Sequence, residues 1–193
     1  MKGTLFDPIK NQFITSVPYD FDGGFHSSVN ITYKPVMYEY GDSYASFTWN
    51  CLDIEGLNMT SDVTETISVT QVNHPPVILN YTVSTKENVD VLFKLQAIDY
   101  DKDQMQFSIK SLPRNGYLHR LDSVGSKGVK IMDLITMNLN EDQLYYSPNL
   151  NYYGIDDFTL IAQDNSGFSN SKSDIGKIVF NVSFVNQPPY MDS

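Results

Sequence analysis

The segment VNHPPV at residues 72–77 recurs as VNQPPY at residues 185–190, an offset of 113 positions. Each proline fixes its φ angle and removes a backbone donor, and the residue before a proline is disfavoured in helix. A Pro-Pro pair is therefore typical of a stiff joint between folded units. Its recurrence raises the question of whether the units themselves repeat.

Other parts of the chain do repeat at this offset. The matching segments are GTL (3–5) with GYL (116–118), YKP (33–35) with YSP (146–148), YG (40–41) with YG (153–154), and ISVTQVNHPP (67–76) with FNVSFVNQPP (180–189). Between them, a two-residue adjustment aligns FT (47–48) with FT (158–159), Asp53 with Asp164, and Gly56 with Gly167. Self-similarity at a fixed period indicates a tandem array, and this period corresponds to one small domain.

The repeat predicts the domain boundaries. Residues 73–185 form one complete unit, whereas residues 1–72 form the C-terminal part of a unit that begins only at its Gly-x-Leu element. The first unit lacks the counterpart of residues 76–115, about 40 residues. Residues 186–193 start a further repeat or a linker. The sequence therefore predicts a window from a longer array, or a protomer whose missing strands come from elsewhere.

Period-two alternation of apolar and polar residues predicts an all-β fold. In the complete unit it predicts strands near 77–83, 90–97, 104–110, 116–119, 129–135, 142–147, 156–163 and 175–184. Turn signals such as Asn115-Gly116 separate these strands. Seven or eight short strands in a unit of this length are typical of an antiparallel Greek-key β-sandwich, here in tandem with the first unit incomplete.

Composition narrows the class of protein. A hydrophobic content of 41% can form real cores, and a net charge of −10 argues against nucleic acid as a partner. No apolar run is long enough to span a membrane, and no signal peptide precedes the folded pattern. Cys51, the single cysteine, shares a strand face with Phe47 and Trp49 and aligns with Ala162, which predicts a buried structural thiol.

The ordered motifs resemble the cadherin-like tandem repeats of large extracellular adhesion and stalk proteins. They are A-x-D-x-D (97–101), P-x-N-G-x-L (113–118), Y-x-P (146–148), Y-G-x-D-x-F (153–158), D-x-x-G (164–167) and V-N-x-P-P at both joints. The joint residues are Asn73, Pro75, Pro76, Asn186, Pro188 and Pro189. The resemblance implies an all-β fold of tandem immunoglobulin/cadherin-like antiparallel β-sandwiches, with the first unit incomplete. Such units are Greek-key sandwiches arranged head to tail in secreted or surface-anchored proteins.

The same resemblance implies calcium between repeats, held by oxygen ligands. The matching acidic residues are Asp53, Glu87, Asp99 and Asp101. The joint departs from the cadherin pattern, because Thr70 and Asn73 of this chain stand where aspartates are expected. The related bacterial repeats have the phrase V-N-D-x-P, and His74 and Gln187 replace its aspartate here. The alternative is that these acids only form turns. An EF-hand is excluded for DYDKD (99–103), because Gln104 and Lys110 occupy the positions of its required Gly and Glu.

The motifs give no sign of an enzyme, since neither a G-x-S-x-G segment nor a P-loop is present. Four Asn-x-Ser/Thr sequons, at Asn30, Asn58, Asn80 and Asn181, predict N-linked glycans if a eukaryote secretes the protein.

The favoured interpretation is a non-enzymatic extracellular structural protein. In it, the chain is a segment of a tandem-repeat stalk or fibril, assembled head to tail by strand addition at the incomplete sandwich. Its partners would be copies of itself or neighbouring repeats. The alternative is a calcium-dependent cell-adhesion module that binds a surface partner. A third interpretation, a carbohydrate-binding module, has no aromatic platform that the sequence identifies.

Overall fold

The structure is a computed structural model that describes residues 2–21, 28–51, 53, 55–57, 61–138 and 141–186. The chain divides into two compact units, Met1–Val72 and Asn73–Ser193. Within the described residues, no helix has the length and apolar character needed to cross a bilayer. The predicted start of a further repeat at 186–193 stays a prediction, because residues 187–193 lie outside the described part.

Unit 1 contains two small antiparallel sheets. Its strands are β1 (Thr4–Asp7), β2 (Gln12–Ile14), β3 (Thr32–Lys34), β4 (Gly41–Trp49) and β5 (Val63–Val69). The first sheet has the order β2-β1-β3, and the second consists of β4 paired with β5. In the described part of unit 1, the second sheet therefore has only two strands.

Unit 2 is a largely antiparallel β-sandwich. Its strands are β6 (Val77–Ile78), β7 (Tyr81–Lys86), β8 (Val91–Lys94), β9 (Ala97–Ile98), β10 (Met105–Ile109), β11 (Gly116–Leu121), β12 (Lys127–Lys130), β13 (Gln143–Pro148), β14 (Gly154–Asp164) and β15 (Gly176–Ser183). One sheet has the order β10-β14-β15-β7 and the other β12-β11-β13-β8, while β6 pairs with β9. Strand β7 runs parallel to β15. The all-β sandwich fold is thereby confirmed.

The core of unit 2 follows directly from the alternation in the sequence. Along β14, Phe158, Leu160 and Ala162 are completely buried, while the residues between them are more exposed. Phe180 on β15 stacks on Tyr146 with 3.7 Å between ring centroids. Burial of each such side chain contributes roughly 1.5–3 kcal/mol, so this aromatic layer is a main source of the free energy that joins the two sheets.

Strand positions in unit 2 agree with the predicted alternation, with three local differences. The predicted strand 77–83 is two strands, β6 and β7, because the chain changes its pairing partner from β9 to β15. The predicted strand 90–97 is also divided, because β8 pairs with β13 whereas Ala97 begins β9, which pairs with β6. Of the predicted strand 129–135, only the first two residues lie in a strand, β12. Ile131 follows this strand, is buried, and donates its backbone N–H to Leu118 O at 2.8 Å.

The two-residue adjustment in the repeat has a structural cause. In β14, Gly154 pairs with Val182 and Asp156 pairs with Phe180. In β4, Gly41 pairs with Val69, but Ala45 is the next residue in register, opposite Ile67. Unit 1 therefore carries a bulge between Gly41 and Ala45, and a bulge adds residues to one strand without moving the rest of its register.

The prediction that Cys51 is buried is wrong. Cys51 is exposed, although its counterpart Ala162 is completely buried. In unit 2, Phe107 on β10 lies directly opposite Ala162. Unit 1 has no strand equivalent to β10 in its described residues, so the same strand face stays open to solvent.

Candidate metal centre in the second unit

Three aspartates converge in the loop that follows β9. Asp99 Oδ1 accepts the backbone N–H of Asp101 at 2.8 Å and that of Asp103 at 3.3 Å. These bonds curl the loop, as Asp side chains commonly do in turns. As a result, Asp99, Asp101 and Asp103 each offer a carboxylate oxygen, and these atoms lie within 4.8 Å of one another.

Two oxygens of this cluster have no protein donor. Asp99 Oδ2 and Asp103 Oδ2 are buried and accept no hydrogen bond from the residues that the structure describes. Burial, together with the charges of Asp99, Asp164 and Asp101, raises the pKa of Asp103. A buried carboxylate oxygen without a donor is costly. The cluster thus brings three carboxylates together and leaves two of their buried oxygens without a hydrogen-bond donor among the described residues.

Asp101 is held in place by His74. The Asp101 side chain is 2% exposed, and its Oδ2 accepts the His74 backbone N–H at 2.6 Å. The His74 ring nitrogen Nδ1 lies 3.1 Å from Asp101 Oδ1. The resemblance predicts an aspartate at position 74. In this chain His74 occupies that position and orients the carboxylate of Asp101.

The first residue of unit 2 is packed against the same end of the sandwich. Asn73 is 4% exposed, and its Nδ2 donates to Asp164 Oδ2 at 3.2 Å. Asn170 Nδ2 donates to the backbone oxygen of Asn73 at 2.7 Å. Asn73 Oδ1 is buried and without a hydrogen-bond partner among the described residues. This amide oxygen is a further oxygen ligand of the type that calcium binds.

These residues fit a hard divalent cation. Ca²⁺ takes about six to eight oxygen ligands from carboxylates, amide or backbone carbonyls and water. Asp99, Asp101 and Asp103 would supply the carboxylates, and the ion would offset their mutual repulsion. The donor set contains only oxygen atoms, which disfavours zinc and copper.

The predicted ligands Asp53 and Glu87 have the following surroundings within their own units. Asp53 lies in unit 1, where its Oδ1 accepts the backbone N–H of Glu55 at 2.9 Å and of Leu57 at 2.8 Å, as a turn former does. Glu87 is 4% exposed and donates its backbone N–H to Ser183 O at 3.0 Å.

Glu87 and the aspartate cluster occupy opposite ends of unit 2. Ser183 lies one residue beyond the pairing of Val182 with Gly154, where β14 begins. Asp164, where β14 ends, pairs with Met105, just beyond the cluster. The ten residue steps of β14 span roughly 33 Å. Glu87 therefore cannot share one ion with Asp99 and Asp101 of its own unit.

Asp103 is the member of the carboxylate cluster that the sequence analysis missed. The alternating spacing Asp99-x-Asp101-x-Asp103 is visible in the sequence, but the A-x-D-x-D motif that indicated calcium ends at Asp101. The contributions of Asn73 and Asp164 could not be read from spacing, because these residues are 91 positions apart.

The other predicted sites are placed as follows. Asn30, Asn80 and Asn181 are exposed, and Asn58 lies outside the described residues. Asn80 Oδ1 accepts the Lys177 N–H at 2.7 Å, a bond that does not use Nδ2, the atom to which a glycan attaches. Of the joint residues, Pro76 is fully buried, Pro75 and Asn186 are exposed, and Pro188 and Pro189 lie outside the described part.

Comparisons with known proteins give one curated relative and several structural likenesses. Over 97% of its length the chain is 26% identical to "Integrin beta-like protein B" of Dictyostelium discoideum, and it spans 11% of that protein. Human CDH23 EC21-23 has a TM-score of 0.46 at 15% identity, over 94% of this chain and 56% of that one. The N-terminal domain of PorA has a TM-score of 0.31 at 16% identity, over 55% of this chain and 96% of that one.

The family assignment rests on a sequence match to unit 2. The model of the family described as "Bacterial Ig domain" matches residues 73–175, which include every strand of unit 2 before β15. The matched residues are more than half of the 193 in the chain. The chain therefore belongs to the bacterial Ig domain family.

Proposed function

We propose that the chain is a non-enzymatic segment of an extracellular tandem-repeat protein, a stalk or fibril in which Ig-like units follow one another head to tail. In this proposal unit 1 receives its missing strands from a neighbouring repeat by strand addition. The observation that carries it is the exposure, in unit 1, of positions that are core positions in unit 2.

The comparison of matched positions supports this proposal. Phe158 and Leu160 are completely buried, whereas Phe47 is half-buried and Trp49 is 40% exposed. Unit 1 thus carries large apolar side chains, Phe47 and Trp49, at strand positions that are partly exposed to solvent. An open sheet edge beside apolar side chains is a site at which another strand adds.

Exposed sequons agree with an extracellular or cell-surface location. Asn30, Asn80 and Asn181 all lie on accessible surface. Asn181 is on the outer face of β15, opposite Ile155. Secretion by a eukaryotic cell would place glycans on these three residues.

Electron microscopy of the protein isolated from its native source tests the array. We expect extended rods or filaments whose axial repeat corresponds to one sandwich, roughly 35–45 Å as set by the length of its strands. Compact particles with no axial repeat would contradict a stalk.

A second candidate function is a calcium-dependent adhesion module. Its specific support is the aspartate cluster with its two buried, unpaired oxygens. The name of the Dictyostelium relative, integrin beta-like protein B, also favours adhesion. Calcium would neutralise the cluster and stiffen the end of unit 2 that holds Asn73.

Calorimetric titration with CaCl₂ tests this candidate. We expect binding with a Kd of about 10⁻⁴–10⁻³ M, the range of extracellular modules. Asp103→Asn should weaken it at least tenfold, while Asp157→Asn, an exposed residue paired with Lys177, should leave it unchanged. Equal binding by the two variants would show that the cluster is not the site.

A further inference from the structure

β7 and β15, which lie near the two ends of unit 2 in sequence, run side by side in the same direction. They pair over six residues, from Tyr81 beside Ile178 to Lys86 beside Ser183. The chain therefore enters β7 at one end of this pair and leaves β15 at the other end. Tension along the chain pulls the two strands in opposite directions along their shared axis.

This geometry determines how the hydrogen bonds between the two strands break under tension. The bonds of a sheet run across the strands, and in a parallel pair they are evenly spaced. Strands that slide along each other load all of these bonds together. Strands that are pulled apart from one end load the bonds one at a time, so a smaller force separates them.

Side chains and one further backbone bond extend the β7–β15 ladder at both ends. Where the pair begins, Asn80 Oδ1 accepts the Lys177 N–H at 2.7 Å. Where the pair ends, the Ser183 hydroxyl donates to Thr85 O at 3.0 Å, and the Glu87 N–H donates to Ser183 O at 3.0 Å. Each of these bonds joins the N-terminal segment of unit 2 to β15, so each must break before the strands slide.

Buried apolar side chains shield one side of this ladder from water. Phe180 is completely buried and lies beside Val83, which is itself buried. Ile178 and Val182, on the same face of β15, are also buried. Hydrogen bonds are stronger where water is excluded, because no solvent molecule replaces the lost partner as a bond opens. The core behind β7 therefore reinforces the ladder.

The N-terminal segment of unit 2 makes its longest strand contact with β15. β6 pairs with β9 through only two residues, Val77 and Ile78. Leu79 adds one bond, from its N–H to Gln96 O at 2.9 Å. The six pairs of β7 with β15 are therefore the main strand contact that must break before this segment leaves the sandwich.

We propose that unit 2 is a load-bearing module in which the β7–β15 ladder resists tension along the chain. This inference rests on the proposed function, because a stalk or fibril of tandem units transmits force through each unit in turn. The ladder sets the force at which unit 2 unfolds. The sheet β12-β11-β13-β8 contributes little to that force, because neither terminal strand belongs to it.

The direction of pulling provides a direct test. In single-molecule force spectroscopy, the full chain is held between marker domains fused at its two termini, which shears β7 against β15. Unfolding of unit 2 is identified by the release of roughly 310–350 Å of chain, the extended length of residues 77–183 less the folded span. In the second geometry the chain carries Cys51→Ser and Asp174→Cys and is held at its N-terminus and at residue 174, just before β15.

The second geometry separates β7 from β15 starting at one end. We expect the unfolding force of unit 2 to be at least about twofold higher when the strands are sheared, because forced unfolding is governed by the rate at which the loaded contacts break. Asp174 is exposed, so its substitution leaves the core of unit 2 unchanged. Equal forces in the two geometries would overturn the proposal.

A matched pair of valine substitutions tests the ladder itself. Val83→Ala removes apolar packing behind β7, whereas Val91→Ala makes the same deletion on β8, in the opposite sheet and against the same core. Both should lower the midpoint of urea unfolding. Under tension, Val83→Ala should raise the unfolding rate at least about tenfold and Val91→Ala less than about threefold. Equal acceleration would assign the resistance to the core as a whole and refute the role of the ladder.

Force measurements and electron microscopy separate the ladder from the stalk. Axially repeating rods, together with equal forces in the two pulling geometries, would contradict the load-bearing ladder alone. A higher force in shear without such rods would support the ladder and contradict the proposed stalk alone.

Discussion

Asp156 is a buried charge that organises unit 2. It is 4% exposed, and its carboxylate accepts the backbone N–H groups of Arg114 and Asn115 at 3.0 and 2.9 Å. The Tyr146 hydroxyl donates to Asp156 Oδ2 at 2.9 Å. Burial, and then this bond to a carboxylate, raises the pKa of Tyr146 above its usual value, so the phenol stays a donor.

Removing this carboxylate should be severely destabilising. Asp156→Ala leaves a buried hydroxyl and two backbone donors without their acceptor, and we expect a loss of about 3–5 kcal/mol in the free energy of unfolding. The control Asp157→Ala breaks an exposed pair with Lys177 and should cost less than about 1 kcal/mol. Urea unfolding measures both, and similar losses would show that the Asp156 network is not important.

Asp103 predicts a pH dependence of stability without calcium. Its pKa is raised in the folded state, so the folded protein binds this proton more tightly than the unfolded chain. Stability should therefore fall as pH rises from the ordinary carboxyl pKa through the raised value. Thermal unfolding in a chelator should show this fall, and Asp103→Asn should reduce it. A slope that the substitution leaves unchanged would assign the effect to other groups.

At the scale of elements, the contact between β11 and β13 depends on a glycine. A Cβ on Gly116 would lie 2.4 Å from Tyr146 Cε2 and 2.7 Å from Ser147 O. Unit 1 repeats this contact, since a Cβ on Gly3 would lie 2.5 Å from the Tyr33 hydroxyl. The glycine of the repeated Gly-x-Leu element is therefore required because a side chain at its position would overlap the tyrosine ring of the neighbouring strand.

The prediction for this element is that Gly116→Ala separates β11 from β13. We expect a loss of about 1–3 kcal/mol from overpacking, because both contacting groups are fixed in the core. Gly125→Asn is the matched control: it has positive φ but nothing within 4 Å of a Cβ, and asparagine tolerates that backbone. Calorimetry should show a lower Tm for Gly116→Ala alone.

At the scale of the whole molecule, the two units differ in completeness. Unit 2 has two four-stranded sheets around one core cluster, whereas the described residues of unit 1 form sheets of three and two strands. Fewer buried apolar contacts lower the free energy needed for local opening. The two units should therefore open at different free energies.

Hydrogen exchange measures this difference. Amides of β4 and β5 should exchange at least about tenfold faster than those of β14 and β15, their counterparts in unit 2. Equal protection of both units in the chain alone would mean that unit 1 is already closed.

The sequence by itself determined the features that depend on local pattern. Alternation within β14 and β15 predicted which of their residues form the core, because side chains on a strand change face at every residue. The recurring Gly-x-Leu and Tyr-x-Pro segments set the repeat frame without any knowledge of the fold.

Only the tertiary structure decided which faces are covered and which charges meet. Cys51 has the pattern of a core residue but is exposed, because its burial requires a strand from a distant part of the sequence. Glu87 and Asp99 are 12 positions apart yet lie at opposite ends of unit 2, while Asn73 reaches Asp164 across 91 positions. Strand pairing between remote segments sets these distances, and spacing along the chain does not encode it.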